Sequence, residues 1–170
     1  MNLAELFKTS ADNQLAALDG LMVKAAEDDG DALLEERLAP DMHPLSAQVR
    51  IACDQVSVGL KRLAGGTFSN PDDNDPTIAA ARDRIARNRA ALAAQSDASF
   101  VAPDAPLEVK LPNGIVFALN AEQYVRDFVI PQIAFHVTAA YAILRMKGLP
   151  IGKRDYIPHM FQYVTKGPDA

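Results

Sequence analysis

The chain has no tryptophan, one cysteine and three histidines among its 170 residues. With Cys53 alone, an internal disulfide and a cysteine-rich zinc site are both excluded. Acidic residues outnumber basic ones, 22 to 17, for a net charge of −5. The chain therefore lacks the net basic face needed to bind nucleic-acid phosphates or an anionic membrane. Its first residues, M-N-L-A-E-L-F-K, lack the basic-then-apolar layout of a secretory signal, so the cytoplasm is the expected compartment. The longest apolar run falls short of the roughly 20 residues of a membrane span. It also holds Pro131, Gln132 and His136, so no span is expected. G-x-S-x-G, Walker and G-x-G-x-x-G motifs are all missing, and Gly152-Lys153 lacks the preceding glycine that phosphate cradling requires.

What is present is an ordinary globular composition, 49% hydrophobic and 23% charged, with no repeat and no low-complexity run. A chain of this size can bury its own core, and residues 1–170 are expected to form one domain. Asn120 to Gly148 reads as the central helix. Asn120 is an N-cap with Gln123 completing a capping box, Glu122 lies in the first turn, Arg145 and Lys147 lie in the last, and Gly148 ends it. From Phe128 to Leu144 its only polar side chains are Gln132, His136 and Thr138, so other elements must cover it.

Three further helices are expected. Leu3, Phe7, Ala11, Leu15, Leu18, Met22 and Ala25 mark the first, and an acidic stretch from Glu27 to Glu36 follows, with room for one more helical turn. The second runs from Pro44 to Leu63, with a stripe of Leu45, Val49, Ala52, Val56, Leu60 and Leu63. The loop Phe68–Pro76 leads to a third, with Asp75 as N-cap and Pro76 first in the helix. Ile78, Ala81, Ile85 and Leu92 face inward in that helix, and Arg82, Arg84, Arg87 and Arg89 line the rest. Between helices three and four the period changes to two: Leu107 to Leu111 and Ile115 to Leu119, joined by Pro112-Asn113-Gly114, predict a β-hairpin lying on the helices as a flap. The tail with Tyr156, Phe161 and Tyr163 is expected to fold back on the bundle. The class is all-α, an up-down four-helix bundle with a small hairpin.

On a helical wheel Val125, Phe128, Gln132, His136, Ala139, Ile143 and Met146 share one stripe, which turns two polar groups inward. Leaving either buried without a partner costs on the order of 1 to 3 kcal/mol, so polar partners are required. Gln48 and Asp54 on helix two, and His43 just before it, are the candidates. A satisfied core network, a ligand pocket and a metal site all fit that pattern. No H-x-x-x-H or E-x-x-H spacing occurs, so no cofactor is expected, and a divalent transition metal would have only His136 and His43 to hold it. His159 reads as a surface residue and Cys53 as inert packing.

F-H-V-T-A-A-Y-A-I-L-R-M-K-G, I-G-K-R-D-Y at Ile151 to Tyr156, L-A-P-D-M-H-P-L at Leu38 to Leu45 and K-L-P-N-G-I-V-F at Lys110 to Phe117 together resemble a bacterial domain-of-unknown-function family. That family is similar to the DinB-like bundles, which include YfiT-type metal-dependent hydrolases and thiol-dependent transferases and isomerases. The resemblance implies a DinB-like four-helix bundle, often dimeric, with a metal held by one histidine of helix two and an H-x-x-x-H ahead of an L-R-x-x-G ending. Leu144, Arg145 and Gly148 match that ending and place His136 at the last ligand position. Gln132 stands where the preceding histidine would be, and helix two contains none. The function this implies is binding of a small molecule or partner around Gln132 and His136, with a metal-dependent DinB-like enzyme, hydrolase or thiol-dependent transferase, as the alternative.

A second apolar stripe on the last helix, Val129, Ile133, Val137, Ala140 and Leu144, also needs cover. Together with the resemblance it predicts a homodimer.

Overall fold

The computed structural model describes residues 2–28, 30–66 and 73–167. Helix α1 (Leu3–Ala26) starts where the Asn2 side chain accepts a hydrogen bond from the Glu5 N–H at 2.8 Å, and its whole predicted stripe is buried. A 3-10 turn, Gly30–Glu35, then buries Leu33 and Leu34, the extra turn expected from the acidic stretch; Asp29 lies outside the described residues. Helix α2 (Leu45–Ala64) buries its stripe together with Cys53 and Gln48, and Pro44 sits at the cap rather than inside the helix.

Helix α3 (Ile78–Ala94) begins later than its sequence suggests, because Thr77 is the cap and its hydroxyl accepts from the Ala80 N–H at 3.1 Å. Asp75 instead turns inward to meet Arg84, at 2.6 and 3.0 Å. Arg84, expected on the outer face with the other arginines, is consequently buried. Residues 67–72, most of the loop expected at Phe68–Pro76, lie outside the described residues.

Side-chain contacts fix the direction of each helix. Arg82 and Arg89 on α3 bind Asp19 and Asp12 on α1, so these two run antiparallel. Ser57 on α2 bonds Asn88 on α3 and Arg84 lies within electrostatic reach of Cys53, so α2 and α3 run parallel. Helix α4 (Ala121–Met146) is antiparallel to α2, with His136 against Gln48 and Val129 beside Gly59. The order is up, down, down, up, and the expected alternation holds between α1 and α2 and between α3 and α4 only. Helices α1 and α2 sit across from each other, with α3 and α4 packed between them.

The Asn120–Gln123 capping box forms as predicted. Helix α4 is one helix with a wide π turn at Tyr124–Val129, where the Ile130 N–H reaches Val125 O. Pro131 explains it: its ring removes an N–H and crowds the carbonyl four residues back, and a wider turn relieves both. Val129, Ile133, Val137, Ala140 and Leu144 are 0 to 1% exposed. Helices α1 and α2 cover that stripe within one chain, so it calls for no second subunit. By length and composition α4 could cross a membrane, with a mean hydropathy of 1.4. Its packing against α1 and α2 is consistent with the core helix of a soluble protein.

Strands β1 (Pro106–Lys110) and β2 (Val116–Asn120) pair antiparallel as the predicted hairpin. Val109 is buried, Leu107 and Leu119 are half-buried, and Arg62 of α2 donates to Glu108 O at 2.7 Å. The tail folds back through a short helix, α5 (Lys153–Tyr156). Lys24 bonds Asp155 at 2.7 Å and the Tyr156 hydroxyl meets that of Thr138 at 2.8 Å. Phe161 and Tyr163, beyond it, stay exposed.

Candidate functional site

The polar groups of α4 and α2 meet where the helical wheel places them. His136 Nδ1 lies 2.7 Å from Gln48 Oε1, and both residues are buried. Gln48 Nε2 donates in turn to the backbone carbonyl of His43 at 3.1 Å. Because the Gln48 amide nitrogen is committed to that carbonyl, its oxygen faces His136, and the imidazole carries its proton on Nδ1. His136 Nε2 is left with its lone pair. It has no partner among the described residues and is not sealed from solvent.

Burial pushes the His136 pKa down from 6.5 to about 4, with the nearby His43 and Arg50 acting electrostatically in the same direction. The ring is neutral at physiological pH. Phe135, 58% exposed, stands edge-on to it with centroids 5.3 Å apart. Next to it, Asp127, Phe128, Pro131, Gln132 and Phe135 line a shallow surface depression.

The predicted residues therefore separate. His136 and Gln48 form the site, and His43 contributes its backbone oxygen while its side chain is exposed. Gln132 is half-buried and lines the depression, away from the hydrogen bonds. Asp54 does not join them. It pairs with Arg50 at 2.9 Å on the α3 side of α2, where it feels Arg84 and Asp75. Six positions beyond Gln48, it is rotated well away from it on the helix. His159 is half-buried, its Nδ1 sealed and without a partner among the described residues, not the open surface residue expected. Cys53 is fully buried and its thiol is pushed up to about 12 by burial, which keeps it protonated and inert. Phe135 escaped the sequence reading because an exposed aromatic on an apolar helix carries no periodic signal.

These donors do not fit a zinc or nickel centre. His136 offers one imidazole nitrogen, and both the Gln48 oxygen and the His43 carbonyl are taken by hydrogen bonds. Among the described residues no three His, Cys, Asp or Glu side chains converge, and such centres draw on at least three protein ligands. Chemically, the arrangement can accept a hydrogen bond at Nε2. With its pKa pushed down to about 4 by burial, the ring is uncharged at neutral pH and Nε2 is free to accept.

Residues 5–157 match the family model described as Domain of unknown function (DUF1993). No curated protein matches the chain in sequence. A crystal structure of a DinB family member protein from Shewanella denitrificans is 36% identical, covers 91% of each chain and superposes with a TM-score of 0.80. The four long helices, the hairpin before the last of them and the match over nearly the whole sequence lead to one conclusion: the chain belongs to the DUF1993 family of DinB-like helical proteins.

Proposed function

We propose that the protein is a cytoplasmic binding bundle in which the seam between α2 and α4 receives a small molecule presenting an N–H or O–H group on a flat apolar frame. The observation that carries this reading is the 2.7 Å contact from His136 to Gln48, which places the ring proton on Nδ1 and leaves Nε2 as an acceptor. Phe135 beside it supplies an aromatic edge, and the Phe128–Pro131 depression supplies apolar wall. A fixed acceptor beside apolar surface selects ligands by one directional bond plus burial.

Phenol is a suitable probe. Long-range nitrogen–proton NMR spectra of the imidazoles should show saturable movement of His136 Nε2 as phenol is added, and loss of the response in His136→Leu. Movement of His43 or His159 with none at His136 would sink the reading.

The second reading, a metal-dependent hydrolase or thiol-dependent transferase, is favoured by the DinB neighbour. It requires ligands beyond those gathered at His136, and it predicts a near-stoichiometric transition metal in tag-free protein.

A further inference from the structure

The two edges of the hairpin are built differently. Strand β1 carries Pro106, Glu108 and Lys110, devices that discourage edge pairing, and its Glu108 carbonyl is already bonded by Arg62. Strand β2 reads V-F-A-L-N, with neither charge nor proline.

The register shows which groups its outer edge leaves open. Leu111 N donates to Ile115 O and Ala121 N donates to Ala105 O, so by antiparallel alternation Phe117 and Leu119 face β1 while Val116, Ala118 and Asn120 face away. The Asn120 N–H is used by Gln123 at 2.9 Å. Val116 and Ala118 keep outward N–H and C=O groups with no partner among the described residues. Ile115 and Val116 are each 49% exposed and Phe117 is 38% exposed. The apolar surface continues from Phe117 to Phe128, 6.1 Å between centroids, and on to Pro131 and Phe135.

We propose that this edge is the contact surface for a second copy of the chain, with β2 pairing antiparallel to its counterpart across a two-fold axis. This surface shares Phe128, Pro131 and Phe135 with the depression beside His136, but the proposal is carried by the β2 backbone and does not rest on the reading of that site. The open groups match themselves. A two-fold at Phe117 sets Val116 against Ala118 of the other copy and Ala118 against Val116. All four open backbone groups of each strand are then satisfied, a larger side chain meets a smaller one, and Phe117 meets Phe117. Centring the axis on Ala118 would instead demand the Asn120 N–H, which is occupied. The result is a four-stranded sheet in the order β1, β2, β2, β1. The exposed parts of Ile115, Val116, Phe117, Phe128, Pro131 and Phe135 offer roughly 500 Å² per copy, so the pair removes roughly 1,000 Å², the lower bound for a specific interface.

Sedimentation of the full, tag-free chain at high micromolar concentration should give twice the 18.3 kDa protomer mass. Ala118→Pro removes an outward N–H without touching the internal ladder, and it should give a monomer with unchanged far-UV dichroism. Phe117→Cys, on the axis, should form an interchain disulfide on mild oxidation, because opposed non-hydrogen-bonded residues stand about 4.5 Å apart, whereas Ile115→Cys should not. Buried Cys53 does not compete. If Ala118→Pro fails to fold, the two cysteine variants decide. A wild-type chain that stays monomeric, or a dimer that leaves Phe117→Cys uncrosslinked, would overturn the proposal.

Discussion

At the scale of single residues, His136 is where pH acts on the fold. The folded chain releases its imidazole proton near pH 4 and an unperturbed imidazole near 6.5. Between those values the unfolded chain binds a proton that the folded one refuses, so acid favours unfolding. The stability from neutral His136 is fully present above about pH 6.5 and drains away as pH falls toward 4. Burial raises the Asp54 carboxyl pKa, which acts in the opposite sense, so the comparison has to be between variants. Urea unfolding at pH 7 and pH 5 should show a larger acid loss for wild type than for His136→Leu; equal losses would mean the imidazole titrates freely. The His136–Gln48 pair was legible in the sequence, because two polar groups on a core stripe must find partners. The Arg84–Asp75 pair was not. Charge alone assigns an arginine to the surface, and only the fold shows that a loop carboxylate comes back to meet it, with Asp75 9% exposed.

At the scale of elements, capping chemistry told most of the story. The Asn120–Gln123 box and the left-handed Gly148 (φ 95°) sit where side-chain type demanded, whereas the cap expected at Asp75 falls at Thr77. Two features needed coordinates. The π turn follows from Pro131, a residue that also speaks against a membrane span, and its presence alone does not say whether the helix breaks, kinks or widens. Tyr124 lies in that turn with a buried hydroxyl that has no partner among the described residues, its pKa pushed up to about 12 by burial, and with Arg62 over its ring at 5.6 Å. The second feature is Gly59, where α2 packs against Phe7 of α1 and Val129 of α4. A Cβ there would stand 2.5 Å from Phe7 Cζ and 3.4 Å from Val129 Cγ2. Phe7 is 0% exposed and has little room to shift. Gly59→Ala gains about 1 kcal/mol of helix propensity but forces about 2 kcal/mol of overpacking against a ring that cannot move away, a net loss of about 1 kcal/mol, so Tm should fall by about 2 to 4 °C. A higher Tm would show slack at this crossing.

At the scale of the whole molecule, hydrophobic periodicity revealed four helices and a hairpin. It could not order them in space, because a stripe names the buried face and not the element that covers it. The second α4 stripe illustrates the limit: Val129, Ile133, Val137, Ala140 and Leu144 looked uncovered only while the positions of α1 and α2 were unknown. The same gap put Asp54 in the wrong cluster. The central claim is that this DinB-like fold uses His136 as a hydrogen-bonding group rather than a metal ligand. Native mass spectrometry of tag-free protein, produced in medium supplemented with zinc and nickel, tests it most directly. Metal-free protomers, whether single or paired, are the predicted result. Close to one metal ion per protomer, lost on His136→Leu, would contradict the account.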